Sequence, residues 1–291
     1  MQGIHPVLGT YARMCHDAIS DFAVLLAPFF EKLIEKEPKT AAALGPLSTS
    51  CLSTSDTAAF LVGYFRLWDA EILMRSVLEG TYKFIALCVR DDAHRLLRVQ
   101  EYWDHLPEAG RIKTHKKAAS FLQAIDDPDS DTWRPIRELM LSQDELDQLQ
   151  GRYPRRAQDE LEKRWSFGEL SKELAESDLP AAKYLIAMLH SYRLSSHLVH
   201  QDSDGVFMMW ERDQRNPSRK EALEIAHGLR ELSDIFHLAM LRTLTAYQMT
   251  GIDPGPILAM KEKYSILLSR VGEAYKIWHR IEYGAGAEQS V

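Results

Sequence analysis

The spacing of apolar residues constrains this chain most, because it is helical almost throughout. From residue 57 onward, apolar side chains recur at three- and four-residue steps, whereas the two-residue alternation of a half-buried strand is scarce. The 291 residues include 15 glycines and 12 prolines, which argues against an all-β or a disordered chain. The sequence therefore predicts an all-α protein, a bundle of four or five long helices with an insertion of short helices.

Capping residues and prolines delimit the long helices. We predict helices over residues 5–37, 55–90, 178–200, 218–248 and 256–283. The first should bend at Pro28, and residues 44–55, which include Gly45 and Pro46, should form a connecting loop. Prolines and glycines interrupt the polar segment 91–176, so we expect it to be a short-helix insertion within a single domain spanning 1–283. Residues 284–291 should form a disordered tail.

Composition limits the compartment and the partners. A net charge of −7 excludes a generally basic nucleic-acid coat but leaves room for a local basic patch. Cys15, Cys51 and Cys88 stand far apart without a C-x-x-C pair, which is typical of a reducing cytoplasm. Neither a signal peptide nor an apolar stretch long enough to span a bilayer is visible. We therefore expect a soluble cytoplasmic protein with no membrane partner.

Two polar segments lie within otherwise apolar helix. The first places Arg75 and Glu79 four residues apart, on one face of a helix and within reach of each other. They can form a satisfied ion pair in the core, as buried charges usually do. They can equally form a charge pair beside a cleft, since buried ionisable groups collect at functional sites.

The second polar segment carries three ionisable residues at positions i, i+4 and i+7. They are Arg193, His197 and His200, and a helix aligns them along one stripe. Ser196 lies beside this stripe, and Asp202 follows at the helix end, where a carboxylate can orient an imidazole. Arginine can hold a phosphate and histidine can transfer protons, so this chemistry requires neither a metal nor another cofactor. Alternatively, the histidines are polar ends of a packed helix and the arginine binds a carbonyl or Glu79.

An acidic residue precedes a histidine by three positions in three places, a spacing that also occurs in di-iron bundles. The pairs are Asp91 with His94, Glu224 with His227, and Asp234 with His237. An apolar stripe begins at Leu223, and opposite it lie Glu224, His227, Glu231 and Asp234, which predicts a solvated face. We therefore predict no metal site.

Three motifs resemble a widespread family of uncharacterised helical proteins, a domain of unknown function (DUF 5677). They are AEILMRSVLE at 70–79, KRWSFGEL at 163–170 and YRLSSHLVH at 192–200. The resemblance spans residues 58–204 and implies no established activity. A weaker similarity is to the HEPN superfamily of small helical bundles, whose ribonucleases carry an arginine and a histidine separated by four to six residues. Six residues separate Arg193 from His200, and Leu194 replaces the polar residue that usually follows the arginine.

Two functions follow as hypotheses. In the first, the protein is a binding or interaction module with a cleft between the two polar segments, for a small ligand or a partner protein. We expect this cleft to contain Arg75, Glu79, Tyr192, Arg193, Ser196, His197, His200 and Asp202. We also expect Arg75, Glu79, Arg193 and His197 to meet in space.

The alternative is a metal-independent endoribonuclease, acting as a toxin or phage-defence effector on RNA. The HEPN similarity then implies that Arg193 binds the scissile phosphate and that His200 is the general acid or base, assisted by His197 or Glu79. HEPN-like bundles commonly pair, so we expect a homodimer. The apolar run 207–210 offers a hydrophobic lid or a partner surface.

Overall fold

The computed structural model describes residues 4–89, 92–177 and 182–284, and every regular element in these ranges is helical. The first helices are α1 (Pro6–Lys36), α2 (Pro38–Gly63) and α3 (Leu67–Cys88). The middle of the chain contains α4 (Asp92–Gln100), α5 (Leu106–Gln123), α6 (Arg134–Arg137), α7 (Gln143–Arg152), α8 (Arg155–Arg164) and α9 (Phe167–Ala175). The last are α10 (Ala182–His200), α11 (Ser203–Gln214), α12 (Pro217–Thr250), α13 (Gly255–Lys263) and α14 (Ser265–Tyr283).

The prediction of an all-α protein is confirmed. Within the described ranges six helices have 19 or more residues, rather than four or five. None of the described helices is long and apolar enough to cross a membrane. Residues 178–181 and 285–291 lie outside the described part, and with them the predicted start of the 178–200 helix and most of the predicted tail.

The chain divides into two compact units. One consists of the segments before residue 90 and after residue 173, and the other is the segment between them. These borders lie close to those expected for the short-helix insertion. The single-domain organisation itself stays a prediction.

The predicted loop over 44–55 is wrong, and so is the predicted unbroken helix over 55–90. Pro46 lies inside α2, because the packing of α2 between α1 and α3 outweighs the hydrogen bond that a proline removes. The chain instead breaks after Gly63, where Phe65 adopts a φ of 61°, in the left-handed region. The Phe65 ring stacks on His5, with ring centroids 4.8 Å apart.

Two other boundaries differ from prediction. The predicted helix 256–283 is divided at Tyr264 into α13 and α14. The segment around 207–210 belongs to a helix of its own, α11, which the sequence analysis did not predict. By contrast, the expected helices over 5–37 and 218–248 agree with α1 and α12 to within two residues, and α1 continues through Pro28.

The unit formed by residues 90–173 is a set of short helices. Trp165 is buried, and its indole lies under the Arg98 guanidinium and donates to Glu101. Basic side chains of this unit pair with acids: Lys113 with Glu162, and Arg152 with Glu108. These two cations are therefore parts of ion pairs on solvated helices.

Helix α12 is the centre of the other unit, because it packs against α1, α2, α3 and α14. It lies close to its neighbours at Gly228. A Cβ atom there would lie 2.8 Å from Leu8 Cδ1 and 3.1 Å from Leu67 Cδ2, so only a glycine fits without displacement. This close contact places His227, the preceding residue, beside the first turns of α3.

Candidate functional site

The polar face of α12 is buried, which corrects the prediction that it is solvated. His227 exposes 7% of its surface and Glu231 1%. From α3, Glu71 faces them and is also 1% exposed. The prediction failed because helical spacing shows which residues share a face, while a neighbouring helix decides whether that face meets water. We predicted no metal site because this face was expected to meet water, and since the face is buried, that reason no longer holds.

The imidazole of His227 joins α12 to two other helices. Its Nε2 atom is 2.8 Å from Glu71 Oε2 and 2.8 Å from Glu231 Oε1. Its Nδ1 atom is 2.8 Å from Arg212 Nη1, on α11. A guanidinium can only donate hydrogen bonds, so Nδ1 accepts and the imidazole proton lies on Nε2, where it donates to Glu71.

The Glu231 carboxyl is an unsatisfied buried group. Within the described part of the chain, neither of its oxygens accepts a hydrogen bond, although Nε2 of His227 is close. Burial raises the pKa of Glu231; the His227 imidazole opposes this rise, and the Glu71 carboxylate adds to it. A buried polar group without a partner is rare and calls for a specific explanation, such as a proton, a water or an ion.

Arg230 holds two further carboxylates beside this group. It donates to Glu71 Oε2 through Nη2 and to Asp234 Oδ2 through Nη1, at 3.1 Å in the second case. Burial works against the charged form of Glu71, but Arg230 and His227 outweigh it, and the pKa of Glu71 is lowered. Burial also raises the pKa of Asp234 to about 6, despite the opposing charge of Arg230. The Tyr184 hydroxyl donates to Asp234 over 3.3 Å.

A cavity of about 10 Å³ lies between α3, α10 and α12. Its lining includes Glu71, Arg75, Glu231 and Asp234. This volume holds about one water molecule. The space between the predicted polar segments is therefore filled, and this cavity is too small for an organic ligand.

The structure brings together four of the predicted site residues across α3 and α10. Arg75 donates to Glu79 Oε1 at 3.1 Å, to the Tyr192 hydroxyl at 3.1 Å and to Ser196 Oγ at 3.3 Å. The Tyr192 hydroxyl donates to Glu79 Oε1 at 3.1 Å. Burial, and then the Glu79 carboxylate, raise the pKa of Tyr192. The group is a closed hydrogen-bond network in which each member already has a partner.

The other predicted site residues lie outside that network. Arg193 and His200 are exposed on α10. His197 Nδ1 is 2.7 Å from Asp202 Oδ2, and Asp202 also caps α11 by accepting from the Gly205 N–H. Among the described contacts, none joins Arg193 or His197 to the network of Arg75. Of the four charged residues that we expected to meet, only Arg75 and Glu79 are in contact.

Sequence reasoning missed the residues of the buried cluster as a site. These are Glu71, Arg212, His227, Arg230, Glu231 and Asp234, together with Tyr184. One available signal was the spacing of Glu71, Arg75 and Glu79, which places three charges on one face of an apolar helix. Another was the Glu224-to-His227 pair on α12, which the apolar stripe opposite it led us to interpret as part of a solvated face.

Comparison with known proteins identifies the family but no activity. The model of a family of unknown function (DUF5677) matches residues 41–217, more than half of the chain. The chain belongs to this family, which confirms the resemblance seen in its motifs. No curated protein and no solved structure matches it. His227, Arg230 and Glu231 lie beyond the matched residues, whereas Glu71, Arg75 and Arg212 lie within them.

Proposed function

We propose that this chain, whose family has no established activity, binds a divalent transition-metal ion between α3 and α12. The ligands are Glu71, His227 and Glu231, whose donor atoms all lie within 4.8 Å of one another. One imidazole nitrogen with two carboxylate oxygens is a donor set that suits zinc, manganese or iron(II).

The buried Glu231 carboxyl carries this proposal. It is 1% exposed, it accepts no hydrogen bond from the described residues, and it faces the other two ligands. A metal ion would supply the missing partner for its oxygens. The charges agree with this, since the three carboxyls of Glu71, Glu231 and Asp234 lie around the single guanidinium of Arg230, whereas Arg212 contacts only the Nδ1 atom of His227 among the site residues. A dication offsets the excess of acid.

The small cavity favours ion binding over catalysis on an organic substrate. It has room for about one water, which could complete the coordination sphere beside three protein ligands. Asp234 and Arg230 would then act as outer partners that orient Glu71.

The test is a titration of the metal-free full-length protein with Zn²⁺ by calorimetry, supported by the absorption spectrum of the Co²⁺ form. We expect one ion per chain. The absorption spectrum of the Co²⁺ form should show the visible bands of an ion with four or five ligands. Glu231→Gln should weaken binding at least tenfold. Glu79→Gln, two turns further along α3, is the matched control and should bind like the wild type. Absence of stoichiometric binding, or equal affinity in Glu231→Gln, contradicts the proposal.

A second candidate function is metal-independent RNA cleavage on the outer face of α10. Its specific support is that Arg193 and His200 are both exposed on one helix, seven residues and roughly 10 Å apart along its axis. In this reaction His200 accepts the proton of the ribose 2′-hydroxyl while its oxygen attacks the phosphorus, and Arg193 stabilises the charge on the phosphate. His200 then returns the proton to the departing 5′-oxygen, which leaves a 2′,3′-cyclic phosphate. A homodimer would bring two such pairs together.

Incubation of purified protein with single-stranded RNA in EDTA tests this candidate. Arg193→Ala and His200→Ala should each reduce cleavage on the order of a hundredfold. Arg156→Ala, an exposed arginine of the other unit, and Glu231→Gln should leave cleavage unchanged. Intact RNA with the wild type, or full activity in His200→Ala, would rule it out.

A further inference from the structure

Helix α11 presents apolar side chains to solvent and a cation to the buried cluster. Val206, Phe207, Met209 and Trp210 are 41–61% exposed. Gly205 is buried against α10, where an added Cβ would lie 2.5 Å from the His197 carbonyl oxygen. The N-terminal end of α11 is therefore packed closely, while most of its apolar surface is not.

Arg212 connects the C-terminal half of α11 to the site. Its guanidinium lies 3.8 Å from the centroid of the Trp68 ring, and Nη1 donates to His227 Nδ1 at 2.8 Å. The Trp68 ring in turn lies 5.5 Å from the imidazole. Arg212 thus contacts the ring nitrogen of His227 that does not face Glu71 and Glu231.

The hydrogen bond from Arg212 conflicts with a metal on the opposite nitrogen. A metal ligand at Nε2 needs its lone pair there, which leaves the single proton of a neutral imidazole on Nδ1. Nδ1–H and Nη1–H are both donors and cannot face each other at 2.8 Å. The guanidinium would also be a second cation close to the metal ion.

We infer that metal binding at His227 and docking of Arg212 exclude each other, so that α11 is a lid which the metal ion releases. This inference rests on the proposed metal site. The C-terminal end of α11 suits such a movement, because Arg215 after it is extended, with φ −68° and ψ 152°. The packed Gly205 would be the fixed end and Arg212 the moving one.

Hydrogen exchange of the full-length protein, with and without Zn²⁺, tests the lid. Saturating Zn²⁺ should speed exchange of backbone amides in the C-terminal half of 203–214 at least tenfold. Arg212→Met keeps an apolar contact with Trp68 but removes the donors. It should show fast exchange without metal and bind Zn²⁺ at least tenfold more tightly than the wild type. Arg270→Ala, an exposed arginine of α14 that pairs with Glu273, is the control and should keep wild-type affinity.

The outcomes separate the lid from the metal site. If Zn²⁺ binds the wild type while α11 exchange and Arg212→Met affinity are unchanged, the lid is wrong and the metal site stands. If neither protein binds Zn²⁺, the metal site is wrong and the lid falls with it.

Discussion

The polar face of α12 and the polar stripe of α10 are alike in sequence and opposite in environment. Each places histidine and charged residues at helical spacing on an otherwise apolar helix. On α12, helix α3 covers the face and leaves Glu231 1% exposed. On α10, Arg193 and His200 face outward, and Tyr192 and Ser196 face α3. Helical periodicity predicts which side chains share a face, but the helices packed around that face decide whether its charges are buried or meet water.

This difference has energetic consequences. Removing one partner from a buried ion pair leaves an uncompensated charge in the core, which is far more costly than removing an exposed charge. Substitutions in the two regions should therefore lower the unfolding free energy by different amounts, more on α12 and its partners than on the outer face of α10.

The largest effect should come from Glu71→Ala. It removes the carboxylate that accepts from both Arg230 and His227, and we expect a loss of about 3–5 kcal/mol of unfolding free energy. Urea denaturation at pH 7 in EDTA measures this without any contribution from bound metal. The EDTA condition also keeps the result independent of the proposed metal site.

Glu79→Ala is the matched control on the same face of α3. Its carboxylate accepts from Arg75 and Tyr192 but is 31% exposed, so its loss should cost about 1 kcal/mol. Equal losses for the two variants would show that burial does not distinguish the cluster from the network of Arg75.

An intermediate effect is expected in the pH dependence of Asp234→Asn. The folded protein holds a proton on Asp234 up to about pH 6, whereas the unfolded chain releases it near 3.8. Between these values the native state binds more protons, so this carboxyl makes the protein less stable as the pH rises. The full shift corresponds to about 3 kcal/mol, of which about 2 kcal/mol falls between pH 4 and 7.

Comparison of the two proteins isolates that contribution. The unfolding free energy of Asp234→Asn relative to wild type should increase by about 2 kcal/mol from pH 4 to pH 7. Other titrating groups are common to both proteins and largely cancel. A constant difference would mean that the native pKa of Asp234 is not raised, and a change in the other direction would mean that the charge of Arg230 outweighs burial.

Local signals in the sequence were sufficient for the helical class and for the pairing of Arg75 with Glu79. They were insufficient at Pro46, where proline and glycine suggest a loop but packing of α2 on both sides maintains the helix. The true break at Phe65 has no proline, and the residue before the break, Gly63, is also the point where α2 approaches Gly9. Breaks of this kind depend on contacts between helices.

The same limit applies to the site. Glu71 lies 156 residues from His227, and no pattern within α12 shows that a carboxylate from α3 will cover its polar face. Arg212 reaches His227 from α11, a helix whose exposed apolar residues suggested a lid or a partner surface without indicating what the lid would cover. Long-range packing decided both outcomes.

The smallest effects should come from the outer face of α10. Arg193→Ala and His200→Ala remove exposed side chains, so each should change the unfolding free energy by less than about 0.5 kcal/mol. Urea denaturation at a protein concentration of a few micromolar and again at a hundredfold higher concentration provides the measurement. The wild-type midpoint should be independent of concentration if this face meets only water. If either variant loses more than 1 kcal/mol of unfolding free energy relative to the wild type only at the higher concentration, a second copy of the chain covers Arg193 and His200. The stripe on α10 would then be buried in an interface, and its substitutions would be costly for the same reason as those on the buried face of α12.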